Sequence, residues 1–253
     1  MLWVFDLDGV VWLAGEAIPG SAEAVEKLRA SGDRVVFVTN NSGPTVSAHV
    51  SRLGAAGIDA APDELATSSQ AAASLLAPGT RAAYVGGEGL VEALEARGVS
   101  IVAVDDDPEA VVVGRSLDLS FASLAAAAGA IRQGARFIAT NTDATFPTPT
   151  GPEPGAGALI AYLQVGSGCQ PEVAGKPHAA MADLVRHRYG QPDMVVGDRA
   201  ETDGAFAERI GAPFALVLTG VTKRSDLPVR PSPAMVEDSL AQVVERHLAT
   251  AED

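Results

Sequence analysis

The chain has 253 residues, 47% of them hydrophobic and 20% charged, a composition that excludes a disordered chain. Its net charge of −14 disfavours nucleic acid and anionic membranes as partners, although a local cation could still bind a small anion. The single cysteine, Cys169, excludes an internal disulfide, no apolar run could span a bilayer, and no basic leader precedes the apolar N-terminus. We therefore expect a cytoplasmic protein without a nucleic acid polymer or a membrane as partner.

Short β-branched runs alternate along the chain with longer alanine-rich stretches. The predicted strands cover residues 2–6, 34–39, 81–86, 110–114, 136–140, 193–198 and 213–219. The predicted helices cover residues 21–32, 45–57, 63–77, 88–97, 120–133, 155–166, 177–189, 201–210 and 233–249. Several strands are continuously apolar, as strands covered by helices on both faces are. This alternation predicts βαβ units in a mostly parallel sheet, with the strand C-termini at one edge where ligands bind.

The stretch ATFPTPTGPEPGAG at 144–157 is rich in proline, glycine and threonine. A linker and a substrate loop both have this composition, and we favour a linker. The stretch predicts a domain boundary between residues 150 and 170, and the segment APGT marks a second boundary near residues 75–80.

Two carboxylates, Asp6 and Asp8, lie within the otherwise apolar segment VFDLDGVVW. An unpaired charge buried in a strand is costly, so these residues either lie in an exposed turn or hold a cation and act on a substrate. Asp198 closes a later apolar strand, and Asp203 follows in the next turn. Two or three carboxylates at one sheet edge suit Mg2+, although a single aspartate at a strand end more commonly serves a turn.

Polar groups also follow the second strand, where Thr39 and Asn40 occur in VFVTNNSG. Hydroxyl, amide and N–H groups there could hold phosphate oxygens, or the segment could be a turn that caps the helix beginning near Thr45. Lys176 precedes Pro177, which we place at the first turn of a helix. A cation there opposes the helix dipole and favours a bound anion, and a solvated surface lysine is the alternative.

Together these groups could carry out phosphoryl transfer. One carboxylate would attack phosphorus and form an aspartyl-phosphate, which divides a difficult displacement into two easier steps. Its neighbour would give a proton to the departing alkoxide and later take one from the attacking water. Mg2+ and the lysine would offset negative charge, while the threonine and backbone amides would hold the phosphate oxygens.

Four motifs, FDLDGV, VTNNS, GKP and VGDRAETD, occur in this order along the chain. In this order and at this spacing they resemble the haloacid dehalogenase superfamily of phosphatases, specifically the NagD-like subgroup with a large α/β cap of the second type. The stretch FIATNTDATFPTPTGPEPGAGAL is similar to the return from cap to core in that subgroup. The resemblance implies an α/β fold with a Rossmann-like, doubly wound parallel-sheet core of residues 1–76 and 169–253. Residues 77–168 would form the inserted cap domain.

The resemblance also implies roles for the acidic residues. Asp6 would be the nucleophile and Asp8 the general acid and base. Mg2+ would be bound by the Asp6 side chain, the Asp8 backbone carbonyl and Asp198. Asp203 would support the metal directly or through water.

Further roles follow from the same resemblance. Thr39 and Asn40 would hold the phosphate, and Lys176 would pair with both the phosphate and the nucleophile. The return loop reads NTD, whereas members of the subgroup often have Asn-Pro-Asp, and the middle residue therefore lacks the fixed φ of proline. Asn141 and Asp143 are accordingly only possible substrate residues of the cap.

The expected activity is Mg2+-dependent hydrolysis of a small phosphorylated metabolite. A sugar or polyol phosphate, phosphoglycolate and a nucleoside monophosphate all remain open as substrates. The alternatives are a phosphomutase, which would return the phosphoryl group to its substrate, and a phospho-acceptor signalling domain, which would be labelled once. A signalling domain would need neither Asp8 as a proton donor nor a cap. Because caps of this subgroup often mediate pairing, a homodimer is possible.

Overall fold

Two parallel β-sheets organise residues 1–251, the part of the chain that this computed structural model describes. Helices pack against both sheets, so the predicted α/β class with parallel sheets is confirmed. Residues 252 and 253, which the predicted core includes, lie outside the described residues. Within the described part, no helix is both long and apolar enough to cross a membrane.

The strands and helices follow one another along the whole chain. The strands are β1 (Leu2–Phe5), β2 (Trp12–Leu13), β3 (Glu16–Ala17), β4 (Arg34–Thr39), β5 (Leu65–Thr67), β6 (Arg81–Val85), β7 (Ser100–Ile101), β8 (Ala110–Val113), β9 (Arg136–Ala139), β10 (Thr145–Thr148), β11 (Gly151–Pro154), β12 (Glu172–Val173), β13 (Met194–Gly197), β14 (Phe214–Val217) and β15 (Met235–Glu237). The helices are α1 (Ser21–Ala30), α2 (Val46–Ala55), α3 (Ser68–Ser74), α4 (Glu88–Ala96), α5 (Phe121–Arg132), α6 (Ala156–Ser167), α7 (Ala179–Tyr189), α8 (Ala205–Ile210) and α9 (Leu240–Ala251).

The first sheet has six parallel strands in the order β15-β14-β13-β1-β4-β5. Its central strand β1 is buried on both faces, because Leu2 and Val4 pack on one side while Trp3 and Phe5 pack on the other. This two-sided burial explains why the strand is continuously apolar in sequence. The C-termini of β1, β4 and β13 meet at one edge of the sheet, which is where the candidate site residues follow.

The second sheet has five parallel strands in the order β12-β9-β8-β6-β7. Helices α5 and α6 cover one of its faces, and its other face joins a hydrophobic cluster that extends through α3 to the first sheet. Because β12 belongs to this sheet, the sheet extends beyond the predicted cap boundary at residue 168. The division into a core of residues 1–76 and 169–253 and a cap of residues 77–168 stays a prediction.

Two predicted helices each contain a short strand. The prediction of a helix over residues 63–77 is wrong in its first half, where β5 precedes α3. Helix α3 begins only after Thr67, whose hydroxyl accepts from the N–H of Gln70 at 3.2 Å. In the same way, β15 precedes α9 within the predicted helix at 233–249. Strands of three residues are too short to show a periodicity of their own.

The start of helix α7 also differs from the prediction. Pro177 lies before the helix and not in its first turn, since α7 begins at Ala179 with His178 in the capping position. Lys176 is therefore in the segment between β12 and α7. Its position is set by its own contacts in the site, and the predicted interaction with a helix dipole does not apply.

The prediction that the proline-rich stretch at 144–157 is a linker is wrong. Strands β10 and β11 form an antiparallel hairpin, in which Pro147 faces Pro152. A two-stranded ribbon has free edges, so it tolerates prolines that would remove hydrogen bonds from a larger sheet. Phe146 and Pro147 of this hairpin line the cavity at the C-terminal edge of the first sheet, as the alternative of a substrate loop requires.

Candidate active site

A cavity lies at the C-terminal edge of the first sheet. Of the predicted site residues, those that line it are Asp6, Asp8, Thr39, Asn40, Asn141, Asp143, Lys176 and Asp198. Asp203 lies behind the cavity wall, buried against Lys176. The structure therefore brings together all the residues that the sequence singled out.

A buried lysine connects two of the carboxylates. The Nζ atom of Lys176 donates to Oδ1 of Asp6 and to Oδ1 of Asp203, each at 2.7 Å. Lys176 is only 4% exposed, and a buried ammonium is stable only with such partners. Burial alone would lower the pKa of Lys176, but Asp203 and Asp6 raise it overall. The lysine is therefore positively charged at neutral pH.

The carboxylates of Asp6, Asp198 and Asp203 form a cluster that suits a divalent cation. Each offers an oxygen, and these oxygens lie within 4.8 Å of one another. Burial raises the pKa of Asp198 to about 7, and the neighbouring Asp203 contributes to this rise. One ammonium cannot neutralise three buried carboxylates, so the cluster has an excess of negative charge. Hard oxygen ligands with such an excess fit Mg2+.

The hydrogen bonds within this cluster distinguish direct from supporting ligands. Both oxygens of Asp203 are engaged, because Oδ1 accepts from Lys176 and Oδ2 accepts from the N–H of Arg199 at 3.1 Å. In Asp198, Oδ2 accepts from the N–H of Val221 at 2.5 Å. Its Oδ1 accepts no hydrogen bond from the described residues, so Asp198 is better suited than Asp203 to bind a metal directly.

Two glycines allow the backbone to approach Asp198 closely. Gly9 has a φ of +88°, and a Cβ atom there would lie 2.6 Å from Cγ of Asp198. A Cβ atom on Gly220 would lie 1.9 Å from Oδ2 of Asp198. Any side chain at either position would displace the carboxylate, so the glycine that follows Asp8 in the first motif is required on steric as well as conformational grounds.

Asp8 has an environment of its own at the cavity wall. The indole Nε1 of Trp12 donates to its Oδ1 at 3.0 Å, and the guanidinium of Arg52 lies over the Trp12 ring at 4.6 Å. Burial raises the pKa of Asp8, while Arg52 and the Trp12 hydrogen bond oppose this rise. A carboxyl group with a raised pKa can carry a proton for transfer near neutral pH.

Thr39, the last residue of β4, presents a hydroxyl group to the cavity. Its Oγ1 accepts from the N–H of Asn41 at 3.0 Å. Among the described residues this hydroxyl has no acceptor for its own proton, so it can donate to an oxygen of a bound group.

Asn40 joins three segments of the chain through its side-chain amide. The Nδ2 group donates to the carbonyl of Lys176 at 3.1 Å and to the carboxylate of Asp143 at 3.2 Å. The Oδ1 atom accepts from the N–H of Lys176 at 2.8 Å. The sequence predicted that Asn40 holds phosphate, but both hydrogens of its amide already have protein acceptors. In the structure this side chain holds Lys176 and Asp143 in place.

The return loop is stabilised by side chains in place of the missing proline. Asn141 donates to the carbonyl of Asn40 at 2.7 Å and accepts from the N–H of Asp143 at 3.1 Å. Gly155 and Gly157 pack directly on this loop, since Cβ atoms there would lie 2.2 and 2.4 Å from its carbonyl oxygens. Asn141 is therefore mainly a loop residue, whereas the carboxylate of Asp143 lines the cavity, with its pKa raised by burial.

Sequence reasoning missed several residues that line the cavity. Phe146 and Pro147 were hidden by the linker interpretation, and Arg115 was not singled out. Arg115 follows the continuously apolar strand β8 by two residues, and its N–H donates to Oγ of Ser42 at 3.2 Å. A polar residue just after a buried strand was the signal that identified Asp6, and the same signal could have identified Arg115.

The chain matches known proteins along most of its length. A family model of haloacid dehalogenase-like hydrolases matches residues 3–100, and a HAD-hydrolase-like model matches residues 173–243. The chain is 40% identical to the D-glycerol 3-phosphate phosphatase of Mycobacterium tuberculosis, over 88% of this chain and 64% of that relative. The chain thus spans slightly less than two thirds of that relative's length.

Solved structures of known proteins share this fold, and two of them illustrate the likeness. One is the glycerol phosphate phosphatase from Mycobacterium tuberculosis in complex with magnesium, with a TM-score of 0.88 and 36% identity over 94% of this chain and 74% of that one. The other is NagD from E. coli K-12, with a TM-score of 0.85 and 31% identity over 95% of this chain and 96% of that one. The chain belongs to the haloacid dehalogenase-like hydrolases, within their NagD-like group of phosphatases.

Proposed function

We propose that the protein is a Mg2+-dependent phosphatase that hydrolyses small phosphorylated metabolites through an aspartyl-phosphate on Asp6. The observation that carries this proposal is the buried lysine bridge from Asp6 to Asp203, beside Asp198, at one cavity. A relative named for glycerol 3-phosphate supports a polyol or sugar phosphate as substrate. The second sheet would be the cap that contacts the leaving group.

Asp6 is the proposed nucleophile. Burial raises the pKa of its carboxyl group, and the adjacent ammonium of Lys176 opposes that rise. Asp6, the backbone carbonyl of Asp8 and Asp198 would hold Mg2+, with Asp203 in support. When bound, the ion supplies the positive charge that allows a carboxylate and a phosphate dianion to approach each other. One oxygen of Asp6 then attacks phosphorus, and the bond between phosphorus and the leaving oxygen breaks.

Asp8 is the proposed general acid and base. Because the N–H of Trp12 needs an unprotonated acceptor, its bond to Oδ1 leaves Oδ2 of Asp8 to carry the proton. Asp8 gives this proton to the leaving alkoxide in the first step. In the second step it takes a proton from the water that attacks the aspartyl-phosphate, which releases inorganic phosphate and restores the Asp6 carboxylate.

The phosphate would be held by the Thr39 hydroxyl and the Lys176 ammonium. Asn40 would act through Lys176, whose backbone it fixes on both sides. This assignment leaves the part of the cavity lined by Phe146 and Arg115 for the leaving group. The proposed partner is a phosphorylated small molecule, and a homodimer and a cytoplasmic location stay predictions from the sequence.

A phosphatase screen with Mg2+ tests this function. Purified protein is incubated with p-nitrophenyl phosphate, polyol and sugar phosphates and nucleoside monophosphates, and inorganic phosphate is measured over many turnovers. We expect steady release that stops with a chelator and resumes with added Mg2+. A single stoichiometric labelling without further release would instead indicate a phospho-acceptor domain, and transfer back to the substrate would indicate a mutase.

A further inference from the structure

Arg199 lines the catalytic cavity and directly follows Asp198 after the end of β13. Its backbone is fixed by two hydrogen bonds to one residue. Its N–H donates to Oδ2 of Asp203 at 3.1 Å, and its carbonyl accepts from the N–H of Asp203 at 2.8 Å. The side chain therefore starts from a fixed point at the sheet edge that also carries Asp6 and Thr39.

The guanidinium of Arg199 has no hydrogen-bond or ion-pair partner within the described part of the chain, where only its backbone N–H is seen to donate. The residue is only partly buried. Its nitrogens are not among the fully enclosed side-chain atoms that lack a partner. A ligand in the cavity can therefore reach this group.

The other cations that line the cavity already have carboxylate partners. The ammonium of Lys176 bridges two buried carboxylates. The Nη2 group of Arg115 donates to Glu153 at 3.0 Å, and its guanidinium lies over the ring of Phe146 at 4.3 Å. Among the described residues that line the cavity, Arg199 is thus the one cation that holds no ion pair.

Arg199 is nevertheless close to negative charge. It lowers the pKa of acidic residues around the site, which are Asp8, Asp143 and Asp198. A guanidinium that lies near three carboxylates and bonds to none of them keeps its donors for another group. A phosphate dianion that enters beside these acids needs positive charge within contact distance, and Lys176 is already shared by two carboxylates.

The proposed reaction has a place for this cation. As a phosphoryl group is transferred, its negative charge is spread over three equatorial oxygens. A guanidinium is a planar fork whose N–H groups match the oxygens of a phosphate. Arg199 also starts from the same sheet edge as Thr39, whereas the hairpin with Phe146 lines the part of the cavity that is left for the leaving group.

We propose that Arg199 binds non-bridging oxygens of the phosphoryl group, as a third side chain beside Thr39 and Lys176. This inference rests on the proposed function, because it assigns a further catalytic residue to the same site. All substrates share the phosphoryl group, so Arg199 should act on every ester alike. An arginine that binds the leaving group would act on some esters only.

Inhibition by inorganic phosphate tests this assignment, because phosphate carries no leaving group. With Mg2+ present, Arg199→Met should raise the inhibition constant of phosphate by about tenfold to a hundredfold. It should lower kcat/KM for p-nitrophenyl phosphate and for 2-hydroxyethyl phosphate by at least about tenfold, with factors that agree within about threefold. Arg199→Lys, which keeps the charge but loses the fork, should lie between.

Thermal melting separates contact with phosphate from a change in the metal cluster. Mg2+ alone should raise the melting temperature of Arg199→Met at least as much as that of the wild type, because one cation fewer beside Asp198 leaves the attraction for Mg2+ undiminished. Arg224→Met is the matched control, since Arg224 is exposed, pairs with Asp238 outside the cavity and carries the same charge. This variant should keep the wild-type phosphate inhibition, kcat/KM values and response to Mg2+.

Several results would overturn the proposal. Unchanged phosphate inhibition in Arg199→Met would show no contact with phosphate, and a loss with only one ester would show contact with the leaving group. A smaller rise of the melting temperature with Mg2+ would show a role in the metal cluster, and equal losses in Arg224→Met would show a general effect of charge. Each of these results overturns this inference alone if the wild type releases phosphate from the esters. A wild type that hydrolyses neither ester would overturn the proposed function with it.

Discussion

Trp12 does not need to touch the substrate. Its hydrogen bond to Asp8 should nevertheless change the rate of the first step to a different extent for different leaving groups. In Trp12→Phe the ring remains apolar, but the donor to Oδ1 of Asp8 is lost. Asp8 can then rotate, and either of its oxygens can carry the proton. We therefore expect the variant to be slow where the leaving group needs a proton and much less affected where it does not.

The size of the effect follows from the bond that is removed. Asp8 becomes a carboxylate as it gives up its proton in the first step, and a hydrogen bond to a charged group contributes about 1.5–3 kcal/mol. Because about 1.4 kcal/mol corresponds to a factor of ten in rate, the rate of the first step with 2-hydroxyethyl phosphate, measured in a single turnover, should fall by about tenfold to a hundredfold. p-Nitrophenolate leaves as a stable anion, so the rate of the first step with its ester, measured as the burst of p-nitrophenolate, should fall by less than about threefold. Trp12 is 1% exposed, and the smaller ring should lower the free energy of unfolding by about 1–3 kcal/mol.

Trp3→Phe is the matched control for this experiment. Trp3 is fully buried in the N-terminal half of β1, and its Nε1 donates to an aspartate, Asp33, at 3.3 Å. This variant should lose similar stability and keep the kinetics of both esters. Single-turnover rates of the first step and thermal melting of the two variants and the wild type complete the test. An equal loss of the first-step rate with both esters in Trp12→Phe would refute the positioning role and leave only packing.

Two further predictions concern the nucleophile and the metal cluster. Asp6→Asn should abolish phosphate release in the presence of Mg2+ and leave the circular dichroism spectrum unchanged. If the variant turned over near the wild-type rate, with deamidation and contamination excluded, Asp6 would not be the nucleophile. In the protein without metal, burial raises the pKa of Asp198 to about 7, so the folded state keeps a proton that the unfolded chain releases at lower pH. Stability without metal should therefore fall as the pH rises from about 4 to about 7. Mg2+, which binds the ionised cluster, should raise the melting temperature more at pH 8 than at pH 5; an equal rise at both values would contradict this reasoning.

The core of the site could be predicted from sequence because the topology of a parallel sheet restricts where strand ends lie. Asp6 and Asp198 directly follow buried strands, and Thr39 ends a third. Neighbouring parallel strands place their C-termini at the same edge, so these residues had to meet once the strands were recognised. The strand pattern places these residues together but does not say what they do. The resemblance to the phosphatase family gave them their roles in phosphoryl transfer.

The roles of Asn40 and Arg115 could not be predicted in this way. Asn40 bonds to Asp143 and Lys176, which lie 103 and 136 positions away along the chain. No local pattern reports which loops meet in space. The hairpin that positions Arg115 was not predicted either. Its prolines suggest a linker, but a two-stranded ribbon with free edges tolerates them.

Phosphorylation of Asp6 is the most direct test of the mechanism. Asp8→Asn protein is mixed with p-nitrophenyl phosphate and Mg2+, quenched in acid within seconds, and digested for mass spectrometry of the peptide that contains Asp6. Because the first step can proceed with this leaving group while hydrolysis lacks its base, we predict a phosphoryl group on Asp6 and one p-nitrophenolate released per chain. Continued release of p-nitrophenolate and phosphate with Asp6 unmodified, or a phosphoryl group on another residue, would contradict the account.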